Sequence, residues 1–203
     1  MLFRSGRFKG VGNVDDGFSE KQIDALDKGG IHGCRFTFLK RLGRTPDMSA
    51  FHRVVDKIKA FKWHVVIYLD PETVPDFAPI LSALPVDYII DHMGTVDAGK
   101  GLDQTNFNAL IDLAKRDQKC WVKTTGFERA SKTGAPFHDA VPFGKKLVDT
   151  IPDRVLWGTD WPHPNVKVMP NDGALVDLIP LIAPDPANQK KLLVDNPARL
   201  YRF

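Results

Sequence analysis

Short apolar runs alternate along this chain with longer segments in which apolar residues recur every three or four positions. Runs of about four to eight mostly apolar residues are typical of buried strands, whereas the three-and-four spacing is typical of one helix face. The strand-like runs are GRFKGVGNV from Gly6, IHGCRFTF from Ile31, WHVVIYL from Trp63, VDYII from Val86, KCWVKTT from Lys119 and RVLW from Arg154. The pattern therefore predicts six strands separated by helices.

The segments between the runs carry signals for helices. Ser19 and Gln22 have the spacing of a capping box, which predicts that a helix begins there, and Gly29-Gly30 predicts its end. The other helix signals are three apolar stripes and one C-terminal segment. They are Phe51, Val54, Val55, Ile58 and Phe61; Phe107, Leu110, Ile111 and Ala114; Val141, Phe143, Leu147 and Val148, with Pro142 in the first turn; and Gln189 to Val194, stopped by Asn196-Pro197.

The alternation of strands and helices predicts a parallel sheet covered on both faces, which is an α/β fold. No glycine-rich loop follows the first strand, and this argues against a dinucleotide-binding arrangement. Polar residues instead stand in or near the carboxyl ends of the runs, as at the active face of a (β/α)8 TIM barrel. They are Arg41, Tyr68, Asp70, Asp91, His92, Thr124, Thr125 and Asp160. We predict one domain over residues 1–203, of the TIM-barrel type but incomplete, with about six β/α units.

Composition narrows the class of protein. A chain of 203 residues that is 43% hydrophobic and 26% charged is long and apolar enough for a globular core. The net charge of +3 has no Lys/Arg block, so we expect neither a nucleic-acid partner nor a membrane partner. Cys34 and Cys120 lie in strand-like runs and fit buried thiols, and no signal peptide is evident. We therefore expect a cytoplasmic protein.

The stretch GTDWPHPN, residues 158–165, follows the sixth run. Gly158 and two prolines stop regular structure there, which places Asp160 at the carboxyl-terminal mouth of a strand. A carboxylate at the carboxyl-terminal end of a strand could take part in catalysis at that face of the sheet. The alternative is structural, because an aspartate before Trp-Pro commonly caps a turn through its own side chain.

Six segments resemble the 2-pyrone-4,6-dicarboxylate lactonases of the amidohydrolase superfamily. They are RFTFLKR from Arg35, WHVVIY from Trp63, DHMG from Asp91, ER at Glu128-Arg129, RVLWGTDWPHPN from Arg154 and LLVDNPARLY from Leu192. The resemblance covers nearly the whole chain in the family's order. It implies that the six units correspond to strands three through eight of the barrel, without the first two.

Metal-using amidohydrolases begin with an H-x-H pair, because two imidazoles two residues apart on a strand point the same way. The six histidines of this chain, at positions 32, 52, 64, 92, 138 and 163, include no such pair. The lactonases that the chain resembles hydrolyse without a metal. We therefore expect no metal and no other cofactor.

The resemblance also implies roles at the site. Asp160 would activate water and return the proton to the leaving oxygen, and His92 would polarise the lactone carbonyl or steer the water. The implied substrate-binding residues are Arg35, Arg41, Tyr68, Arg129 and His163. The family often has arginine directly after DHMG, where this chain has Thr95.

Simpler interpretations stay open for several of these residues. His92 and His163 also fit structural histidines, and Arg41 and Arg129 also fit solvated surface. Arg35 lies in an apolar run, so it must face a polar cavity or pair with an acid such as Asp91.

The expected function is hydrolysis of a carboxylated lactone, with 2-pyrone-4,6-dicarboxylate opened to 4-oxalomesaconate as the leading case. The partner is then a small dicarboxylate lactone. One alternative is another lactonase or carboxylate hydrolase of the superfamily, and a second is a non-catalytic barrel fragment. Since an open sheet has two unpaired edges, a homo-oligomer that covers them is a further expectation.

Overall fold

Six parallel strands form one sheet in a computed structural model that describes residues 6–40, 47–164 and 166–203. Each strand pairs with the next along the chain, so β1 and β6 lie at the two edges. The strands are β1 (Gly10–Gly12), β2 (Ile31–Phe38), β3 (His64–Leu69), β4 (Tyr88–Ile90), β5 (Cys120–Thr124) and β6 (Val155–Trp157). The sheet curls into part of a TIM barrel, which confirms the predicted fold class. The first strand is shorter than the run that predicted it.

Helices follow the strands and fill the connections between them. Their bounds are α1 (Glu20–Lys28), α2 (Met48–Ile58), α3 (Val74–Ser82), α4 (His92–Thr95), α5 (Thr105–Arg116), α6 (Phe127–Ala130), α7 (Val141–Thr150), α8 (Asp172–Val176), α9 (Ile179–Ile182), α10 (Pro186–Lys190) and α11 (Asn196–Tyr201). Single 3-10 turns span Lys59–Phe61, Pro71–Thr73, Ala98–Lys100 and His138–Ala140, and a π turn spans Lys191–Asp195. Within α4, Met93 and Gly94 have positive φ angles, so this element is a tight turn rather than a regular helix.

The predicted helix signals are largely confirmed, with one error at the C-terminus. The capping box at Ser19 begins α1, and Pro142 lies in the first turn of α7. The predicted stop at Asn196-Pro197 is wrong, because the helical segment continues through the π turn to Tyr201. Pro197 lies at the start of α11. A proline lacks an N–H and its ring clashes with the preceding turn, and the widened π turn offers the space for it.

Hydrophobic residues pack on both sides of the sheet. The larger cluster lies between the strands and the outer helices and includes both cysteine side chains, which are buried free thiols. The smaller cluster lies on the concave side and consists of Val66, Ile89, Trp121, Leu156 and Leu200. Leu200 belongs to α11, so the C-terminal helix contributes to the floor of the curled sheet.

Asn196 connects helix α11 by hydrogen bonds to the start of strand β6 and to the turn before it. Its side chain is buried, and Nδ2 donates to the carbonyl oxygens of Pro152 and Val155, both at 2.8 Å.

We expect Asn196→Ala to lower the free energy of unfolding by about 2 to 4 kcal/mol, because buried carbonyls lose a donor. Urea denaturation measures this change. Asn108→Ala, which removes a hydrogen bond to Asp103 on the surface, is the matched control and should change stability by less than about 0.5 kcal/mol.

Within the described residues, no helix combines the length and apolar character that crossing a membrane requires.

Candidate functional site

A cavity of about 540 Å³ opens at the concave side of the sheet, where the carboxyl ends of the strands meet. Its polar wall comes mainly from strands β2 and β5 and from the segments after β4, β5 and β6. These parts of the chain contribute Arg35, Thr37, Asp91, His92, Lys123, Thr125 and Asp160, and Asn13 and Tyr201 line the cavity as well. The structure therefore brings together three of the residues to which the resemblance gives a site role: Arg35, His92 and Asp160.

Asp160 presents one carboxylate oxygen to Arg129 and the other to His92. Arg129 of α6 donates to Oδ2 through Nε at 2.8 Å and approaches the same oxygen through Nη2 at 2.6 Å. Oδ1 lies 3.9 Å from His92 Nε2. In the turn itself, the N–H of Trp161 donates to the hydroxyl of Thr159 rather than to Asp160. The Asp160 carboxylate is thus oriented by an arginine, with one oxygen directed toward the histidine.

His92 lies between the first cavity and a second one. Its ring is buried, with Nδ1 at 2.9 Å from the Thr125 hydroxyl and the Tyr68 ring packed edge-on at 5.2 Å. Burial lowers the pKa of His92 and outweighs the opposing charges of Asp91 and Asp160. At neutral pH the ring is therefore uncharged, which suits donation of a hydrogen bond to a substrate oxygen or alignment of a water molecule.

Asp91 is held between two cations. Arg35 contacts its Oδ2 through Nε at 3.0 Å and Nη2 at 2.7 Å, and Lys123 Nζ lies 2.8 Å from Oδ1. Burial by itself would raise the pKa of Asp91, but Lys123, His92 and Arg35 together lower it below its ordinary value. Arg35 also lies over the Tyr68 ring at 5.0 Å. The acid partner anticipated for Arg35 is thus Asp91, and Arg35 still faces the cavity.

The sequence assigned no role to Lys123. Lys123 and Thr125 are two residues apart on and just beyond β5, so both face the cavity. The two-residue spacing can be read from the sequence, but the contact between Lys123 and Asp91 cannot.

His163 lies behind the site and lines neither cavity. Its ring is buried, with Nε2 at 3.1 Å from Asp172 Oδ1 and Nδ1 at 3.9 Å from Glu128 Oε1. The backbone N–H of His163 donates to the carbonyl oxygen of Asp160 at 2.8 Å. This position favours support of the Asp160 turn, whereas the predicted substrate contact stays a prediction.

Glu128 is a buried acid next to Arg129. Its Oε1 lies 3.4 Å from Arg129 Nε, and neither oxygen has a well-aligned hydrogen-bond donor in the described part of the chain. Burial raises the pKa of Glu128 and the charge of Asp160 acts in the same direction, whereas its own backbone N–H, Arg129 and His163 oppose the shift. Protonated Glu128 is thus favoured by the folded state relative to the unfolded chain.

This shift predicts a pH-dependent effect of Glu128→Gln on stability. The contribution of Glu128 is fully present below its unfolded-state pKa and is lost as the pH rises through the higher folded-state pKa. The variant, which cannot ionise there, should therefore become more stable relative to the parent protein as the pH rises above the ordinary glutamate value of 4.5. Urea denaturation at several pH values measures the difference. Glu72→Gln, at an exposed ion pair with Lys40, is the control, and an equal response in both variants would contradict the prediction.

The second cavity, of about 960 Å³, extends above His92. Tyr68 lines it together with Arg129 and other residues of the segments 126–137, which include α6, and 166–171. Thr95 also lines this cavity, and its hydroxyl donates to the carbonyl oxygen of Leu69.

Arg41, which the resemblance implies as a substrate-binding residue, lies outside the described residues. Among the residues with described positions, no three His, Cys, Asp or Glu side chains form a group that could hold a metal ion.

The sequence of the chain is similar to those of known hydrolases. A family model described as Amidohydrolase matches residues 3–203. A curated 2-pyrone-4,6-dicarbaxylate hydrolase of Comamonas testosteroni is 42% identical over 97% of this chain and 67% of its own length. A 4-sulfomuconolactone hydrolase of Hydrogenophaga intermedia is 38% identical over 97% of this chain and 66% of its own length. The chain thus spans about two thirds of the length of these curated relatives.

Solved structures share the architecture. An apo crystal structure from Agrobacterium tumefaciens aligns with a TM-score of 0.82 at 29% identity, over 96% of this chain and 70% of that one. A probable 2-pyrone-4,6-dicarboxylic acid hydrolase of Acinetobacter baumannii aligns with a TM-score of 0.84 over 98% of this chain and 74% of that one. At 24% identity, the second comparison supports the fold alone.

Proposed function

The chain belongs to the amidohydrolase family, and from that membership we propose that it hydrolyses a carboxylated lactone, with 2-pyrone-4,6-dicarboxylate as its substrate. The observation that carries this proposal is the arrangement of Asp160, which Arg129 holds through one oxygen while the other faces His92 at 3.9 Å. A carboxylate oxygen 3.9 Å from the Nε2 of a neutral imidazole suits activation of water beside a carbonyl group.

The reaction needs a base and a group that interacts with the carbonyl oxygen. Asp160 Oδ1 takes a proton from water, whose oxygen attacks the lactone carbonyl carbon. His92 donates to the carbonyl oxygen as negative charge develops there, or aligns the water. When the ring C–O bond breaks, Asp160 returns the proton to the leaving oxygen, so that one water is added in total. General acid-base catalysis of this kind contributes about 100- to 10,000-fold in rate.

The charges around the cavity favour an anionic substrate. Arg35 and Arg129 both reach the site, and a guanidinium forms paired, charge-assisted hydrogen bonds with a carboxylate. Tyr68 packs against both His92 and Arg35 and lies where a substrate would contact its side chain. We propose Arg41 as a further carboxylate-binding residue on the resemblance alone.

A comparison of substrates tests this function. We expect kcat/KM for 2-pyrone-4,6-dicarboxylate to exceed that for unsubstituted 2-pyrone by roughly 100-fold or more, because each charge-assisted bond contributes about 1.5 to 3 kcal/mol. Ultraviolet absorbance of the pyrone ring follows both reactions. Equal rates for the two substrates would contradict the proposal, and so would no hydrolysis of either.

We also propose that the chain forms a homo-oligomer. In the region that the structure describes, β1 and β6 each have a strand neighbour on one side, and unpaired edges favour association between chains. Size-exclusion chromatography with light scattering should show a dimer or larger assembly of defined mass. A stable monomer would contradict this expectation.

A further inference from the structure

We propose that Lys123 binds a carboxylate of the substrate together with Arg35, and that this pair gives the site its preference for a diacid over a monoacid. The inference rests on the proposed function and adds a binding residue to it.

The position of Lys123 on β5 directs its side chain into the cavity. Alternate residues of a strand face the same side, and Trp121 belongs to the concave cluster while Thr125 lines the cavity wall. Lys123 lies between them, and its side chain is 24% exposed. The ammonium group therefore lies above the apolar floor and within reach of a bound ligand.

The charge balance at this point leaves a surplus of positive charge. Asp91 contributes one negative charge and is 2% exposed, so it has little access to further partners. Two cations surround it, Arg35 at Oδ2 and Lys123 at Oδ1. An ammonium has three donors and a guanidinium has five, which is more than one carboxylate can accept. An anionic group in the cavity would compensate the surplus charge and use the remaining donors.

Two pairs of residues in the cavity then have different roles. Lys123 and Arg35 hold a carboxylate beside Asp91, while Asp160 and His92 face the reacting carbonyl. Lys123 also contributes to the lowered pKa of His92, because its positive charge opposes protonation of the ring. A substrate with a single carboxylate would contact either this pair or Arg129, whereas a diacid can contact both.

A purely structural role for Lys123 is the alternative. In that case Lys123 only neutralises Asp91, and replacing it would affect every substrate alike. Lys123→Gln distinguishes the two roles, because glutamine can still donate an N–H toward Asp91 but has no charge. Lys123→Arg restores the charge. Lys119→Gln is the matched control, since Lys119 Nζ bonds to the carbonyl oxygens of Ser82 and Leu84.

The test compares 2-pyrone-4,6-dicarboxylate with its two monoacids, 2-pyrone-4-carboxylate and 2-pyrone-6-carboxylate. We expect Lys123→Gln to lower kcat/KM roughly 10- to 100-fold for the diacid and for one monoacid, and to leave the other monoacid within about threefold. Lys123→Arg should recover most of the loss, and Lys119→Gln should match the parent protein. Equal losses for all three substrates would overturn the inference in favour of the structural role.

A binding measurement separates this inference from the proposed function. In the Asp160→Asn background, calorimetry measures binding of 2-pyrone-4,6-dicarboxylate without turnover. Binding that weakens tenfold or more on addition of Lys123→Gln supports the inference, at the scale of one charged bond. Unchanged affinity overturns the role of Lys123 alone. No binding in the Asp160→Asn background would overturn the proposed function, and the inference with it.

Discussion

Asp160→Asn is expected to lower kcat for lactone hydrolysis by about 100- to 10,000-fold while leaving the affinity for the dicarboxylate within a few-fold. The asparagine oxygen can still accept from Arg129, which approaches one carboxylate oxygen through Nε and Nη2 at 2.8 and 2.6 Å. The amide cannot take a proton from water. The variant should therefore bind substrate and fail to open it.

A surface carboxylate supplies the control for this experiment. Asp149 forms an exposed ion pair with Lys145 one helical turn away and lines neither cavity, so Asp149→Asn removes a charge outside the site. Its activity should equal that of the parent protein. An Asp160→Asn variant that keeps more than about a third of the parent rate would show that Asp160 is not the base, since a lost base costs at least about 100-fold.

Asp91→Asn is expected to lower the free energy of unfolding by about 2 to 4 kcal/mol, because it removes the negative charge shared by Arg35 and Lys123. Breaking a buried ion pair from one side costs about 3 to 5 kcal/mol, and the access of both cations to the cavity reduces this somewhat. Urea denaturation at pH 7 measures the loss. Asp24→Asn, at an exposed pair with Lys28, should change stability by less than about 1 kcal/mol.

The same carboxylate predicts a pH dependence. Since the folded state lowers the pKa of Asp91, its contribution is present above the ordinary aspartate value of 3.8 and is lost as the pH falls through the folded-state pKa. The stability difference between the parent protein and Asp91→Asn should therefore shrink below about pH 4. A difference that stays constant down to pH 2 would show that the charge of Asp91 is not what holds the two cations.

The sequence predicts the sheet well because strand and helix periods differ clearly along the chain. Each of the six apolar runs contains a strand, and the strands pair in chain order. The sequence prediction for the end of the C-terminal helix is wrong because it depends on Asn196-Pro197, which is a local stop signal. Packing of Leu200 on the concave cluster and the π turn before Asn196 override that signal, and neither depends on local sequence.

The sequence predicts those site residues that directly follow a strand. It does not predict contacts that depend on how neighbouring strands are aligned. Asp160 and His92 follow two parallel strands, so their approach at one rim could be anticipated. The contact of Asp91 with Lys123 could not, because it requires Ile90 to pair with Val122 across β4 and β5. A one-residue change of that register would turn Lys123 to the opposite face. His163 shows the same limit, because its partners Glu128 and Asp172 come from other segments of the chain.

We propose that this chain opens a carboxylated lactone with its own side chains. The most direct test is the ultraviolet absorbance of 2-pyrone-4,6-dicarboxylate after mixing with the purified chain in excess chelator, beside Asp160→Asn under the same conditions. We expect loss of the pyrone absorbance with the parent chain and none with the variant. No loss with the parent chain, or equal loss with both proteins, would contradict it.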